Sequence, residues 1–134
     1  MKYLFDTNTC VQYLRKGITS PVAVKLAATS PGEVVLCSVV VGELVFGALR
    51  SQNIHKSIAD VQTFRAGFQS LPLDDDVAET YAQVRADLTA KGTPIGPNDM
   101  LIAAIALRHG LILVTHNTSE FGRVVGLSLE DWQI

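Results

Sequence analysis

Short unbroken apolar runs alternate along the chain with longer segments whose apolar positions return every three or four residues. The runs Tyr3–Phe5, Val34–Ser38, Leu71–Leu73, Leu111–Thr115 and Leu127–Leu129 predict strands, the last the weakest. Between them the helical period predicts a helix opened by Thr7 or Asn8 and running to about Lys16, and a second opened by Ser20-Pro21, where proline at the first helical position loses no hydrogen bond. A third helix is expected from about Val40 to Ser51, and a fourth from a cap at Asn53 to about Ser70. A long fifth helix starts at Asp75 or Asp76 and stops at Lys91-Gly92. Thr-Pro-Ile-Gly-Pro then forms a rigid loop before a helix over Asn98–His109 that Gly110 ends. Strands lacking internal alternation and separated by helices predict an α/β fold, with a central parallel sheet of four to five strands covered by helices on both faces.

Composition narrows the class. With 134 residues, 48% hydrophobic and 18% charged, the chain suits one well-buried core, so a single domain over residues 1–134 is expected. The absence of a long apolar segment argues against a signal peptide or membrane anchor and predicts a cytoplasmic protein. Cys10 and Cys37 fall within predicted regular elements at no metal-ligand spacing, which predicts small reduced core residues. A net charge of -2 and a pI near 5.8 give no overall attraction to nucleic acid, so such a partner would depend on a local basic patch or on bound cations.

The candidate chemistry is acidic. In open α/β sheets, ligands bind beyond the carboxyl ends of the strands where connections leave in opposite directions, and Asp6 ends the first apolar run. Glu43 interrupts the apolar stretch VVVGELVFGAL near the start of the third helix, and Asp99 lies in the first turn of the helix leading to the fourth strand. Each has an ordinary explanation. Asp6 suits a helix cap or turn, Glu43 a solvated stripe shared with Gly47 and Arg50, and Asp99 the dipole at a helix start. As a group they predict a carboxylate cluster that needs a cation, and hard oxygen donors without a cysteine or histidine pattern suit Mg²⁺ or Mn²⁺.

The ordered set FDTN at 5–8, VGEL at 41–44 with Gly47 following, KGTPIGPNDMLIAA at 91–104, LVTHNTSEF at 113–121 and LEDW at 129–132 resembles PIN-domain ribonuclease toxins of the VapC type along nearly the whole chain. The resemblance implies a PIN-like fold, an acidic metal site, metal-dependent endoribonuclease activity leaving 5′-phosphate and 3′-hydroxyl ends, and neutralisation by a VapB-type antitoxin. It makes Asp6, Glu43 and Asp99 the catalytic, metal-binding acids. At the fourth position, where many relatives carry an aspartate after the threonine of the last strand, this chain has Asn117, with Glu120 three residues on. Both are candidate ligands, Asn117 through its carbonyl and Glu120 as the replacement carboxylate. Thr7, Asn8 and Thr115 are placed to hold the acids by hydrogen bonds.

Structured RNA is the implied substrate, with a tRNA anticodon loop prominent, and KGTPIGPND is similar to the segment in toxins acting on initiator tRNA. Lys16, Arg50, Lys91 and Arg123 are candidate phosphate contacts, and a homodimer is expected. Two other readings remain open at this point. A haloacid-dehalogenase-like phosphatase also has an aspartate after its first strand but wants an acid two residues later, where this chain has Asn8. A catalytically silent PIN interaction module would tolerate the missing fourth aspartate.

Overall fold

The apolar runs form strands β1 (Tyr3–Phe5), β2 (Val34–Cys37), β3 (Gln69–Leu71), β4 (Ile112–Val114) and β5 (Ser128–Glu130) in the computed structural model, which describes residues 1–134. They pair, all in parallel, in the order β3-β2-β1-β4-β5. The helices are α1 (Thr7–Lys16), α2 (Pro21–Ala27), α3 (Ser38–Leu49), α4 (Ile54–Arg65), α5 (Asp75–Ala90), α6 (Pro97–His109) and α7 (Thr118–Phe121), with a 3-10 turn at Gly17–Thr19. The two short elements, α7 and the 3-10 turn, leave no periodic trace in the sequence because neither spans two helical turns.

Burial explains the pattern. All four residues of β2 are buried, as are Leu4, Phe5, Leu113 and Val114, so the central strands have no solvent face on which polar residues could alternate. The edge strands differ: Gln69 and Ser70 of β3 are exposed, as are Ser128 and Glu130 of β5. This moves β3 two residues before the expected Leu71–Leu73, because a strand with one neighbour tolerates polar residues while Leu73 turns out to solvent. The fourth helix also ends sooner than expected, at Arg65, where the chain turns through Gly67 and the Phe68 N–H donates to the Arg65 carbonyl. Ser38 begins α3 instead of ending β2.

Helical crossovers carry β1 to β2 and β2 to β3 in one direction, whereas the connection from β3 through α5 and α6 crosses back to β4 on the other side of β1. Helices α1 to α4 pack among themselves, and α5 packs along α6. One core cluster of 30 buried residues links these layers. In α6 the whole run Ile102–Ala106 is inaccessible to water, and full burial of side chains such as Ile102 and Ile105 contributes about 1.5–3 kcal/mol each. Trp132 closes the C-terminal end of the core, its ring edge-on to Phe5 at 5.2 Å and to Tyr3 at 5.1 Å. Cys10 and Cys37 are free and buried, and burial pushes the Cys37 thiol up to about 11. As neutral core thiols they are poor metal ligands.

Candidate metal-dependent nuclease site

The sheet order reverses between β1 and β4, and the crevice beyond their carboxyl ends is where an open α/β sheet binds its ligand. Asp6 follows β1 directly, and its N–H donates to the Val114 carbonyl at 3.1 Å, tying it to the end of β4. It is only 5% exposed. The expected caps Thr7 and Asn8 lie inside the helix, and Asp6 itself caps α1: Oδ1 accepts from the Thr9 N–H at 2.9 Å and from the Thr9 hydroxyl at 2.7 Å. The helix-cap and site readings of Asp6 are thus compatible, because a cap occupies only part of a carboxylate's accepting capacity. Burial raises the Asp6 carboxyl above the usual carboxylate range, hydrogen bonds from Thr115 and Thr9 oppose that rise, and the charge of Glu43 adds to it.

Helix α3 starts at the end of β2 and brings Glu43 to the same edge, half-buried, where Oε1 accepts from the Thr7 hydroxyl at 2.5 Å. Arg50, which shares the Glu43 stripe in sequence, does not pair with it and lies over the Phe46 ring, 5.4 Å from its centroid. Asp99 is in the first turn of α6, which Pro97 opens. Its carboxyl is pushed up to about 6, first by burial and then by the charges of Glu43, Asp6 and Glu120. Asp99 thus lies near enough to Glu43, Asp6 and Glu120 for their charges to add to the effect of its burial. Thr7, Ser38, Gly42, Glu43, Phe46 and Asn98 line a groove between α3 and α6 at this edge.

On the far side of β4, Thr115 is fully buried and its hydroxyl accepts the Asn117 N–H at 2.9 Å. The Asn117 side-chain amide donates to Glu120 Oε2 at 2.8 Å. Of the expected supporting residues, Thr7 bonds an acid directly, Glu43, whereas Thr115 holds the backbone of the loop that carries Asn117. Asn8 does not; it is exposed and bonds to none of the acids. The residue that sequence reasoning missed is Thr9, whose signal was its place three positions after Asp6, the spacing at which a cap and its partner meet. His116 turns outward and pairs with Asp131 at 2.8 Å. Among the basic candidates, Lys91 is paired with Asp87 at 3.0 Å and Arg123 donates to the Pro94 carbonyl at 3.2 Å, while Lys16 is exposed.

No three His, Cys, Asp or Glu side chains converge closely enough to enclose an ion by themselves. That suits Mg²⁺, which keeps most of its waters and takes one or two protein carboxylates, and it does not suit a closed cage of the structural-zinc kind. The donor set is hard oxygen, and Asp99 and Asp6 are raised first by burial and further by neighbouring carboxylates, with no positive group among the causes. The residues present therefore fit a hard divalent cation.

Comparisons with known proteins agree with this architecture. The PIN domain family model matches residues 3–127. The tRNA(fMet)-specific endonuclease VapC of Shigella flexneri is 37% identical over 133 residues, covering 98% of both chains. Ribonuclease VapC2 of Haemophilus influenzae (strain ATCC 51907 / DSM 11121 / KW20 / Rd) is 32% identical, again over 98% of each. Among solved structures, DNA-bound VapBC from Salmonella typhimurium superposes with a TM-score of 0.93 at 34% identity, covering 98% of each chain. A five-stranded parallel sheet with acids gathered at its switch point and near full-length similarity to these nucleases establish that the chain belongs to the PIN-domain family, within its VapC branch.

Proposed function

We propose that this VapC-family nuclease cleaves RNA with Mg²⁺ or Mn²⁺ held by Asp6, Glu43 and Asp99, one or two of them directly and the rest through the ion's waters. The observation that carries the reading is geometric: Asp6 directly after β1, Glu43 near the start of α3 and Asp99 in the first turn of α6 meet at the carboxyl edge of the sheet where its order reverses. When bound, the metal would supply a water of lowered pKa and positive charge against the scissile phosphate. The chain's own residues do the positioning. Thr9 fixes Asp6, Thr7 fixes Glu43, and the first turn of α6 sets Asp99 at the rim. Asp6 is the most extensively tethered of the three, being buried and bound to the backbone at both Thr9 and Val114.

The substrate class we assign is a structured RNA, with initiator tRNA as the specific candidate because two relatives above 30% identity are tRNA(fMet)-specific endonucleases. A VapB-type antitoxin is the partner we assign, as the solved relatives are VapBC complexes. No helix is long and apolar enough to cross a membrane.

Incubation of the purified protein with a tRNA pool and each divalent ion, followed by end analysis, tests the reading. Internal cuts that require Mg²⁺ or Mn²⁺ and stop on chelation are expected. No cleavage with any divalent ion would leave a silent interaction module, and release of phosphate from monoesters would favour the phosphatase alternative.

A further inference from the structure

Asn117 has an unusual bonding pattern for its position. It precedes α7 as the capping residue, where an asparagine ordinarily turns its side-chain carbonyl onto a free N–H of the first helical turn. Here the side chain makes no capping bond. A glutamate three residues after a cap ordinarily reaches back to the cap's backbone N–H. In this chain that N–H is already taken by the Thr115 hydroxyl, and Glu120 is met instead by the Asn117 side-chain amide at 2.8 Å. A carboxylate only accepts, so the amide must present its nitrogen and its carbonyl is turned away from Glu120.

The consequence is a continuous chain of contacts. The Asp6 N–H donates to the Val114 carbonyl at 3.1 Å, the hydroxyl of the next residue, Thr115, receives the Asn117 N–H, and the Asn117 amide holds Glu120, whose charge adds to the rise of the Asp99 carboxyl. Asp6 and Glu120 are thereby both tied to the end of β4, one through Val114 and the other through Thr115. Resting on the metal-site reading above, we propose that Asn117 is a positioning residue, not a ligand, which gives up its helix cap to orient the Glu120 carboxylate toward the cation shared by Asp6 and Asp99. This accounts for an uncharged residue at 117: an aspartate there would set a second carboxylate against Glu120 where a donor is needed.

The test is Mn²⁺ binding by the full chain, followed by calorimetric titration, for the wild type, Asn117→Ala, Asn117→Ser, Glu120→Gln and the Asn117→Ala/Glu120→Gln double variant. Asn117→Ala should weaken Mn²⁺ on the order of 10-fold, the usual size of an outer-partner effect on a metal site. Glu120→Gln should weaken it at least as much, and the double variant no further than Glu120→Gln alone, because the amide acts through the carboxylate. Serine separates the roles. It caps helices well but its hydroxyl is too short to replace the amide, so Asn117→Ser should bind Mn²⁺ as poorly as Asn117→Ala while keeping wild-type thermal stability. Recovery of wild-type affinity by serine would reduce Asn117 to a cap and overturn the proposal, as would additive losses in the double variant or unchanged affinity in Asn117→Ala. Failure of the wild type to bind Mn²⁺ at all would overturn the metal-site reading itself, a result distinct from all of these.

Discussion

The two sides of the crevice hold their acids by different means. On the β1 side, Asp6 is buried, caps α1, donates its N–H to β4 and receives two bonds from Thr9, so removing it disturbs the backbone as well as the charge. On the β4 side, Glu120 is half-exposed on a four-residue helix and held by one side-chain amide. The first arrangement makes a carboxylate part of the fold's framework, while the second keeps its placement separable from stability. The metal site proposed above, if it draws on both, would have one reference point built into the framework and one adjustable arm, a carboxylate set by a single side-chain bond.

Substitutions at the acids should show the largest effects and can break this comparison most directly. Asp6→Asn keeps a good helix cap and removes the charge, so RNA cleavage with Mg²⁺ should fall by roughly 10²–10³-fold or more while circular dichroism stays native. Cleavage within a few-fold of wild type would remove Asp6 from the site. Asp99→Asn should abolish cleavage comparably and carries a second signature in metal-free protein. The folded Asp99 carboxyl lies at about 6 and its ordinary value is 3.8, so between these values the folded state binds more protons than the unfolded one and stability falls as pH rises. Wild-type stability contributed by this group is therefore fully present below about pH 4 and lost above about pH 6. With chelator present, Asp99→Asn should melt higher than wild type at pH 7.5, and the difference should shrink toward pH 4.5. Equal melting differences at both pH values would show that Asp99 does not carry the crowded charge.

Much of this site could be read from the chain because it depends on residues at strand and helix ends, where capping and dipole rules act locally. Asp6, Glu43 and Asp99 follow or begin elements whose hydrophobic period is plain, so the sheet's parallel order alone places them at one edge. Thr9 was hidden because Thr7 and Asn8 offered equally good caps, and only the extended backbone at Asp6, with φ -77° and ψ 173°, decides between them. The Asn117–Glu120 bond was illegible for another reason. Two candidate ligands three residues apart imply either two donors or a donor and its support, and that distinction rests on a rotamer the sequence does not encode. The shift of β3 came from its edge position, a property of sheet order and not of its own residues.

A smaller effect sharpens the contrast. Thr9→Val keeps shape and burial but removes a hydroxyl that lies 2.7 Å from Asp6 Oδ1 and 3.0 Å from the Val114 carbonyl. Leaving those buried acceptors less well satisfied should lower stability by about 1–2 kcal/mol, read as an equal shift in urea denaturation with an unchanged m-value. The matching loss on the β4 side, Asn117→Ser, should leave stability within about 0.5 kcal/mol of wild type. A stability loss at Asn117 as large as that at Thr9 would mean that both sides are framework and the adjustable arm does not exist.

The smallest expected effect concerns His116, which lies between Thr115 and Asn117 in sequence yet faces away from both. Its ring pairs with Asp131 at 2.8 Å, but the His116 side chain is 61% exposed, so solvent screens the pair and an exposed ion pair is worth about 0–1 kcal/mol. Asp131 keeps a second partner in the Gln133 N–H at 2.9 Å, so it is not left unsatisfied when the ring is removed. His116→Ala should therefore leave Mn²⁺ affinity unchanged and alter stability by less than about 0.5 kcal/mol at pH 7. Because Thr115 is buried and Asn117 is anchored through its own backbone, the loop between them does not need the histidine to hold its shape. A tenfold loss of Mn²⁺ affinity in His116→Ala would show that the β4 arm is braced from its outer face as well, and would shift the source of Glu120's orientation from the Asn117 amide to the loop as a whole.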